Sequence, residues 1–224
     1  MAEGIAADSR RSRAGIPGLL VTISLILAHP DRGSFNHALA EAASRALRDS
    51  GHEVRFHDLY AEAFPPLLPA REIPHSAPLD AGLQEHCEEI ARAHGIVIVH
   101  PNWWGMPPAI LTGWVDRVLR PGVAYRFVEG DPGEGIPLGL LPARTAVVLN
   151  TSNTVTERER QVFGDPLERN WRDCVFGLCG VRRVVRRTFG VIVTSTREQR
   201  EQWLQETTHL IRQEFSSETR AYIP

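Results

Sequence analysis

The run LLVTISLILA at positions 19–28 is apolar at nearly every position, and the residues after it change to a helical rhythm. An apolar, β-branched run of this length predicts a strand buried on both faces, the mark of a central strand in a parallel sheet. Pro30 ends it. Beyond the loop 29–34, Phe35, Ala38, Leu39, Ala42, Ala43, Ala46 and Leu47 recur at helical spacing, so one helix face points at the sheet and Ser34 is the expected N-cap.

The alternation continues along the chain. Gly51 precedes a short strand at 52–59, and positions 80–94 read as a helix with Leu83, Cys87, Ile90 and Ala91 inward. GIVIVHP at 95–101 is a third strand, and the helix after it, marked by Pro107 and Pro108, turns Ile110, Leu111, Trp114, Val115 and Val118 inward. A fourth strand spans 143–152, and a polar turn leads to a helix holding Leu167, Trp171, Cys174, Val175 and Leu178. A fifth strand starts at Val181, and a last helix from about 197 to 215 has Trp203, Thr207, Leu210 and Ile211 on its core face. Positions 60–79, with Pro65, Pro66, Pro69, Pro74 and Pro78, and positions 120–142, rich in Gly and Pro, read as long loops.

Five strands alternating with helices predict an α/β sandwich of three layers with a parallel sheet, in one domain over 19–216. The segments 1–18 and 217–224 read as tails, the first of them disordered. Ligands in such sheets bind beyond the carboxyl ends of the strands, where strand order reverses. The loops 29–36, 101–107 and 150–157 should therefore converge.

Charge and composition narrow the partners. A net charge of −2 from 25 basic and 27 acidic residues gives no electrostatic case for nucleic acid. The longest apolar stretch is too short to span a bilayer. Cys87, Cys174 and Cys179, without a CxxC, suit packing roles in a reduced cytoplasmic compartment. The nine histidines contain no HxH or HExxH, so no metal site is expected, and His100 reads as a packed or loop-bonding residue.

The chemistry concentrates at the first strand-to-helix loop. A helix start offers unpaired N–H groups and the positive end of the dipole, a site for phosphate. GxxxxGK[ST], GxGxxG and GxSxG are all absent, which leaves a hydroxyl and amide loop. Trp103 and Trp104 fall in a loop, where their burial needs a ligand or a partner. Asp116 and Arg117 are expected to cap and pair around their helix. VRRVVRR at 181–187 reads as an edge strand with solvated arginines, or as a basic patch for a membrane-protein partner.

LILAHPDRGSFNHALAEA, PNWWGMPPAILTGWVDRV, AYRF, VLNTSNT, FGDPLERNW and FGLCGV together resemble the NAD(P)H:quinone oxidoreductase family of flavodoxin-like flavoproteins, in its bacterial branch, over about 20–212. The resemblance implies strand order 2-1-3-4-5, bound FMN or FAD, and a homodimer with shared active sites. It also implies two-electron ping-pong transfer from NAD(P)H to a quinone-like, nitro or azo compound. It places His29, Ser34, Phe35 and Asn36 on the flavin phosphate, and Pro101, Asn102, Trp103 and Trp104 along the ring. Asn150, Thr151, Ser152 and Asn153 fall near the pyrimidine end. Trp104, Tyr125 and Phe127 become walls of the substrate pocket, the latter two over the partner subunit's flavin. The stretch 155–164 lacks the Tyr and His of animal members, so no acid or base is assigned. A regulatory subunit of a glutathione-gated potassium efflux system is the alternative relative.

Overall fold

The computed structural model describes residues 21–74, 76–128, 135 and 137–216; the two tails lie outside the described residues. The strands are β1 (Thr22–Leu27), β2 (Glu53–Asp58), β3 (Gly95–Pro101), β4 (Tyr125–Phe127), β5 (Pro137–Gly139), β6 (Thr145–Ser152) and β7 (Arg183–Gly190). Five of them form a parallel sheet in the order β2-β1-β3-β6-β7, which is 2-1-3-4-5 when only sheet strands are counted. The order reverses between β1 and β3.

Alternation along the strands makes two cores. Ile23, Leu25 and Leu27 of β1, with Val97, Val99, Val147 and Leu149, face α1 (Phe35–Asp49) and α6 (Arg197–Glu214). Ile26, Ile96, Ile98, Ala146 and Val148 face α2 (Ala81–Arg92), α3 (Ala109–Val118) and the helical segment around Trp171. Side chains pointing alternately up and down a strand produce this division. All seven residues of β3 and all eight of β6 are buried, as a sheet covered on both sides requires.

Capping is uneven. Asp80 Oδ1 accepts from Leu83 N at 2.8 Å, and Thr196 with Gln199 builds a capping box on α6. Ser34 occupies the N-cap of α1 but makes no side-chain capping bond; its hydroxyl turns to His37.

Other expectations change. Within 60–79 there is a 3-10 turn, Ala70–Glu72, and the loop is pinned rather than free. Arg117 grips buried Glu72 through Nε and Nη2 at 3.0 and 2.8 Å and donates to Pro65 O at 2.6 Å. Gly113 permits this: a Cβ there would lie 2.1 Å from Pro66 O. Arg117 thus pairs across the fold while Asp116 stays exposed. In the second long loop, β4 and β5 pair antiparallel. The polar turn after β6 is instead a helix, α4 (Thr156–Phe163).

The next helix is not a plain α-helix. α5 (Pro166–Arg169) passes into a π-helical stretch, Asn170–Phe176. Wider turns move the inward positions by about one residue per turn. Trp171, Phe176 and Cys179 are therefore buried, while Cys174 and Leu178 are exposed, against the α-helical expectation. On α2, His86 takes an inward place and Ala91 is exposed. Burial pushes the Cys87 and Cys179 thiols up to about 11, so neither is a ready thiolate.

β7 is an edge strand, as expected, and Arg183 and Arg187 are partly solvated there, but its arginines are also paired. Arg183 meets Glu214, Arg187 meets Glu206, and Arg186 meets Asp165 and Glu168. Their charges are neutralised within the fold, which removes the basic patch. Among the described residues no helix is long and apolar enough to cross a membrane.

Candidate functional site

At the carboxyl ends of β1, β3 and β6 three loops come together. The first is the start of α1. Ser34 N donates to Asp31 O at 3.0 Å and Gly33 N to Asp31 Oδ1 at 2.8 Å, folding the loop on itself. His37 and Ala38 N–H groups return to Ser34 O. The N–H groups of Phe35 and Asn36 have no protein acceptor among the described residues, so they remain available at the helix end. The Phe35 ring itself packs against Phe189 and Trp203, with centroids 6.4 and 5.8 Å away; this residue offers the site its main chain.

Asn36 is almost fully buried, and its Nδ2 donates to Thr151 Oγ1 at 2.9 Å, tying the first loop to the third. Its Oδ1 is buried without a donor. Such an acceptor costs about 1–3 kcal/mol if left so, and a ligand hydroxyl or N–H would satisfy it. His29 accepts from Asp31 N at 3.1 Å through Nδ1, which leaves Nε2 as the N–H of the neutral ring. Burial holds this imidazole below its ordinary pKa, against the raising effect of the bond that a protonated Nδ1 would donate to Asp31 O, 3.2 Å away.

The second loop is a tight hairpin. Trp103 and Met106 exchange backbone hydrogen bonds at 3.1 and 2.9 Å, with Trp104 at φ 59° and Gly105 at φ 73° between them. Two successive positive φ values make a type I′ turn. Trp104 is held at its tip, 95% exposed, and Trp103 lies with its ring centroid 5.9 Å from that of His29. Asn102 stiffens the hairpin: its N–H donates to Thr151 O at 2.7 Å, its Oδ1 accepts from Gly105 N at 3.0 Å, and its Nδ2 reaches Glu159 at 3.0 Å.

The third loop is anchored from below. Asn150 is fully buried, so it supports the site rather than lining it. Its Nδ2 lies 2.7 Å from His100 Nε2, which also accepts from Trp171 Nε1 at 2.9 Å, while His100 Nδ1–H donates to Pro101 O at 2.8 Å. Burial drives the His100 pKa down to about 4, fixing the neutral ring. Arg186 completes the network, bonding Asn150 Oδ1 at 3.3 Å and Thr188 Oγ1 at 2.8 Å as well as its two carboxylates. Ser152 bonds within its own turn to Thr154, and Asn153 Oδ1 accepts from Val193 N at 3.1 Å.

Tyr125 and Phe127 do not join these loops within one chain. They sit on β4, beside the start of β6 and the end of the π-helical segment, where Leu141 N donates to Cys179 O. There they pack edge to face, 5.6 Å between centroids, at a cavity of about 320 Å³ that Leu119, Arg120, Cys174 and Leu178 also line.

Elsewhere the fold gathers His57, Glu62 and His86, whose ligand-type atoms all lie within 4.8 Å of one another. The hydrogens argue against a metal there. The indole N–H of Trp114 donates to His86 Nδ1 at 3.2 Å, so neutral His86 carries its proton on Nε2 and presents it to Glu62. His57 faces carboxylates with both nitrogens, Glu62 at 3.1 Å and Glu89 at 2.7 Å. Burial alone would lower its pKa, but these two acceptors outweigh it and hold the pKa above the ordinary value.

Sequence reasoning did not find Arg186, Glu159, His37 or Asp58 as neighbours of the site. One signal was available: aligning β3 with β6 sets His100 directly opposite Asn150. For Glu159 the sequence carries none.

Comparison with known proteins agrees with the geometry. A family model described as a flavodoxin-like fold matches residues 22–213. A Haemophilus influenzae protein named as an NAD(P)H oxidoreductase is 30% identical over 175 residues, covering 75% of this chain and 83% of that protein. Rat NAD(P)H dehydrogenase (quinone) 1 is 34% identical over 122 residues, but these span only 46% of this chain and 44% of the rat protein. The solved NAD(P)H:quinone oxidoreductase of Methanothermobacter marburgensis superposes with a TM-score of 0.72 at 28% identity, over 86% of this chain and 96% of that one.

Proposed function

The chain belongs to the family with the flavodoxin-like fold matched over residues 22–213, and on that premise we propose that it is a flavin-dependent NAD(P)H:quinone oxidoreductase. The observation that carries this is the pairing, at one end of the sheet, of two free helix-end N–H groups with a rigid tryptophan hairpin. The first suits the phosphate of FMN or FAD, the second a flat apolar ring.

The donor set fits such a cofactor. Phe35 N–H, Asn36 N–H, Ser34 Oγ and the outward N–H of His29 would hold its phosphate, and the unsatisfied Asn36 Oδ1 would take a hydroxyl of its sugar-alcohol chain. Pro101, Asn102, Trp103 and Trp104 would run along its ring, and the Thr151 to Asn153 turn would face the pyrimidine edge. When bound, the flavin supplies the two-electron relay between NAD(P)H and a quinone.

The chain's own residues position and exclude. The hairpin holds the Trp104 indole outward at no cost in searching, because the turn and the Asn102 bonds have already ordered it. An indole wall gives planar co-substrates a surface to stack on and keeps water from it. One such wall serves nicotinamide and quinone alike, so they bind in turn and the kinetics are ping-pong. Tyr125 and Phe127, which line a separate cavity in this chain, would close the site of a second copy, which makes the working unit a homodimer.

The spectrum of the purified protein tests the core of this reading. A flavin absorbance, FMN or FAD released on denaturation, and NAD(P)H-dependent quinone reduction are expected. A protein that stays colourless and binds neither flavin would overturn it. Double-reciprocal plots that intersect, in place of parallel lines, would overturn the ping-pong order alone, and a monomer at assay concentration would overturn the shared site.

A further inference from the structure

Ser34, His37 and Asp58 form a hydrogen-bonded chain that the reading above does not use. Ser34 Oγ lies 3.1 Å from His37 Nδ1, and His37 Nε2 lies 3.2 Å from Asp58 Oδ2. The side chains of His37 and Asp58 are only 14% and 15% exposed. Asp58 cannot swing away, because its Oδ1 accepts from Tyr60 N and Ala61 N at 3.2 and 3.1 Å. A carboxylate fixed this way takes the Nε2–H of His37. The state of Nδ1 then decides where the serine hydrogen points.

With His37 neutral, Nδ1 accepts the Ser34 O–H, and the hydroxyl turns its lone pairs outward, toward any anion at the helix end. With His37 protonated, Nδ1–H donates to Oγ, and the serine hydrogen is released to donate outward. Only the second arrangement suits a phosphate oxygen. It also adds a positive charge one turn inside α1.

Resting on the flavin reading above, we infer that a phosphate at the start of α1 draws one proton onto His37 through Ser34, so that binding is coupled to proton uptake. The proton comes from solvent or buffer, the N–H bond at Nδ1 is the only bond made, and Ser34 keeps its hydrogen and reorients it. Asp58, at the end of β2, stabilises the imidazolium. The other ionisable groups around His37 are His29, 6.4 Å away between ring centroids, Asp31 in the same loop, Tyr60 beyond β2, and Glu41 one turn along α1. His29 is the competing site: its Nδ1 lies 3.1 Å from Asp31 N and 3.2 Å from Asp31 O, and burial holds its pKa down. His37 and Asp58 are positioning residues: each acts through Ser34.

The test is FMN binding to the full-length protein freed of flavin, followed by flavin fluorescence between about pH 7 and about pH 9. In that range the phosphate, with a second ionisation near pH 6, is already a dianion and adds no slope of its own. Affinity is expected to weaken toward about tenfold per pH unit once His37 must be protonated to bind. Calorimetry in two buffers of different ionisation heat should find uptake approaching one proton per FMN, and riboflavin, which lacks the phosphate, should bind without either effect. His37→Gln should abolish slope and uptake; if that variant folds poorly, the two-buffer measurement on the unaltered protein decides. FMN binding that is flat with pH and takes up no proton overturns the relay and leaves the flavin reading intact. If FMN, FAD and riboflavin all fail to bind at every pH, the flavin reading falls and the relay falls with it.

Discussion

Two histidine clusters lie at different places on the same sheet and have opposite electrical characters. His100, between β3 and β6, is fully buried among an indole, an amide and a carbonyl, and it is held neutral with its pKa down at about 4. His57, on the edge strand β2, is set between Glu62 and Glu89, and these acceptors hold its pKa above the ordinary value against burial. Burial without a counter-charge empties a histidine of its proton, whereas burial between carboxylates retains it. The consequence is a division of labour. The neutral network carries hydrogen bonds of fixed direction to the Pro101 and Asn150 loops, where proton uptake would rearrange the site. The charged cluster pins the chain after β2 to α2, away from the site, where a titration moves stability alone.

Removing Arg186 should break this contrast most severely, because among the described residues it is the full charge bonded to the neutral network. Arg186→Met strands Asp165, while Glu168 keeps Arg172, and a loss of about 3 kcal/mol in urea unfolding is expected. A loss near zero would mean that Asp165 finds solvent and that the network needs no cation.

Acid sharpens the contrast. Between the ordinary histidine value near 6.5 and the folded value near 4, the unfolded chain binds a proton at residue 100 that the folded chain refuses. Stability is therefore full above about 6.5 and declines as the pH falls toward 4, by on the order of 3 kcal/mol. His57 contributes with the opposite sign: its folded pKa is raised, so its share is complete below the ordinary value and is lost as pH rises through the folded one. Chemical unfolding at about pH 6.5 and about pH 4.5 reads His100 together with His29, whose pKa is also lowered, so the same pair of measurements on His29→Asn gives the part that belongs to His100. No decline across that interval would contradict its neutrality.

A smaller effect belongs to Glu62. Burial opposes its charge, but the bonds from His57 and His86 hold its pKa down to about 2, from 4.5. Its share of stability is present above the ordinary value and disappears as pH falls from about 4.5 to about 2. Glu62→Gln should cost about 1 kcal/mol at neutral pH, since the carboxylate is partly solvated, and should flatten the unfolding curve within that acid window.

The smallest change in stability is expected where the proposed substrate contact is largest. Trp104→Asn places the favoured Asn-Gly pair in the type I′ turn, so thermal stability should stay within about 0.5 kcal/mol or rise slightly. KM for a quinone should rise about tenfold as the stacking wall is lost, a loss of about 1.4 kcal/mol in binding. An unchanged KM would remove Trp104 from the substrate pocket.

What the sequence determined by itself is the alternation of strands and helices, the two long connections, and the end of the sheet at which three loops meet. Those follow from the nearly unbroken apolar run in Ile23 to Leu27, periodicity 3.6 in Phe35 to Leu47, and the polar loop between them, all properties of the local sequence. The resemblance of its loops to a flavoprotein family named the same end of the sheet.

Tertiary structure alone decided the rest. Which carboxylates would neutralise Arg183, Arg186 and Arg187, which acid would hold Arg117, and which aspartate would back His37 are pairings across 18 to 45 positions of sequence. They depend on strand order and on which face each neighbour presents, and no local spacing encodes either. The π-helical turn is the sharpest instance. A single extra residue per turn moved burial from Cys174 and Leu178 to Phe176 and Cys179, because the stacking of Trp171 on Phe176, 5.5 Å between centroids, is settled by packing against the sheet rather than by the chain's own rhythm.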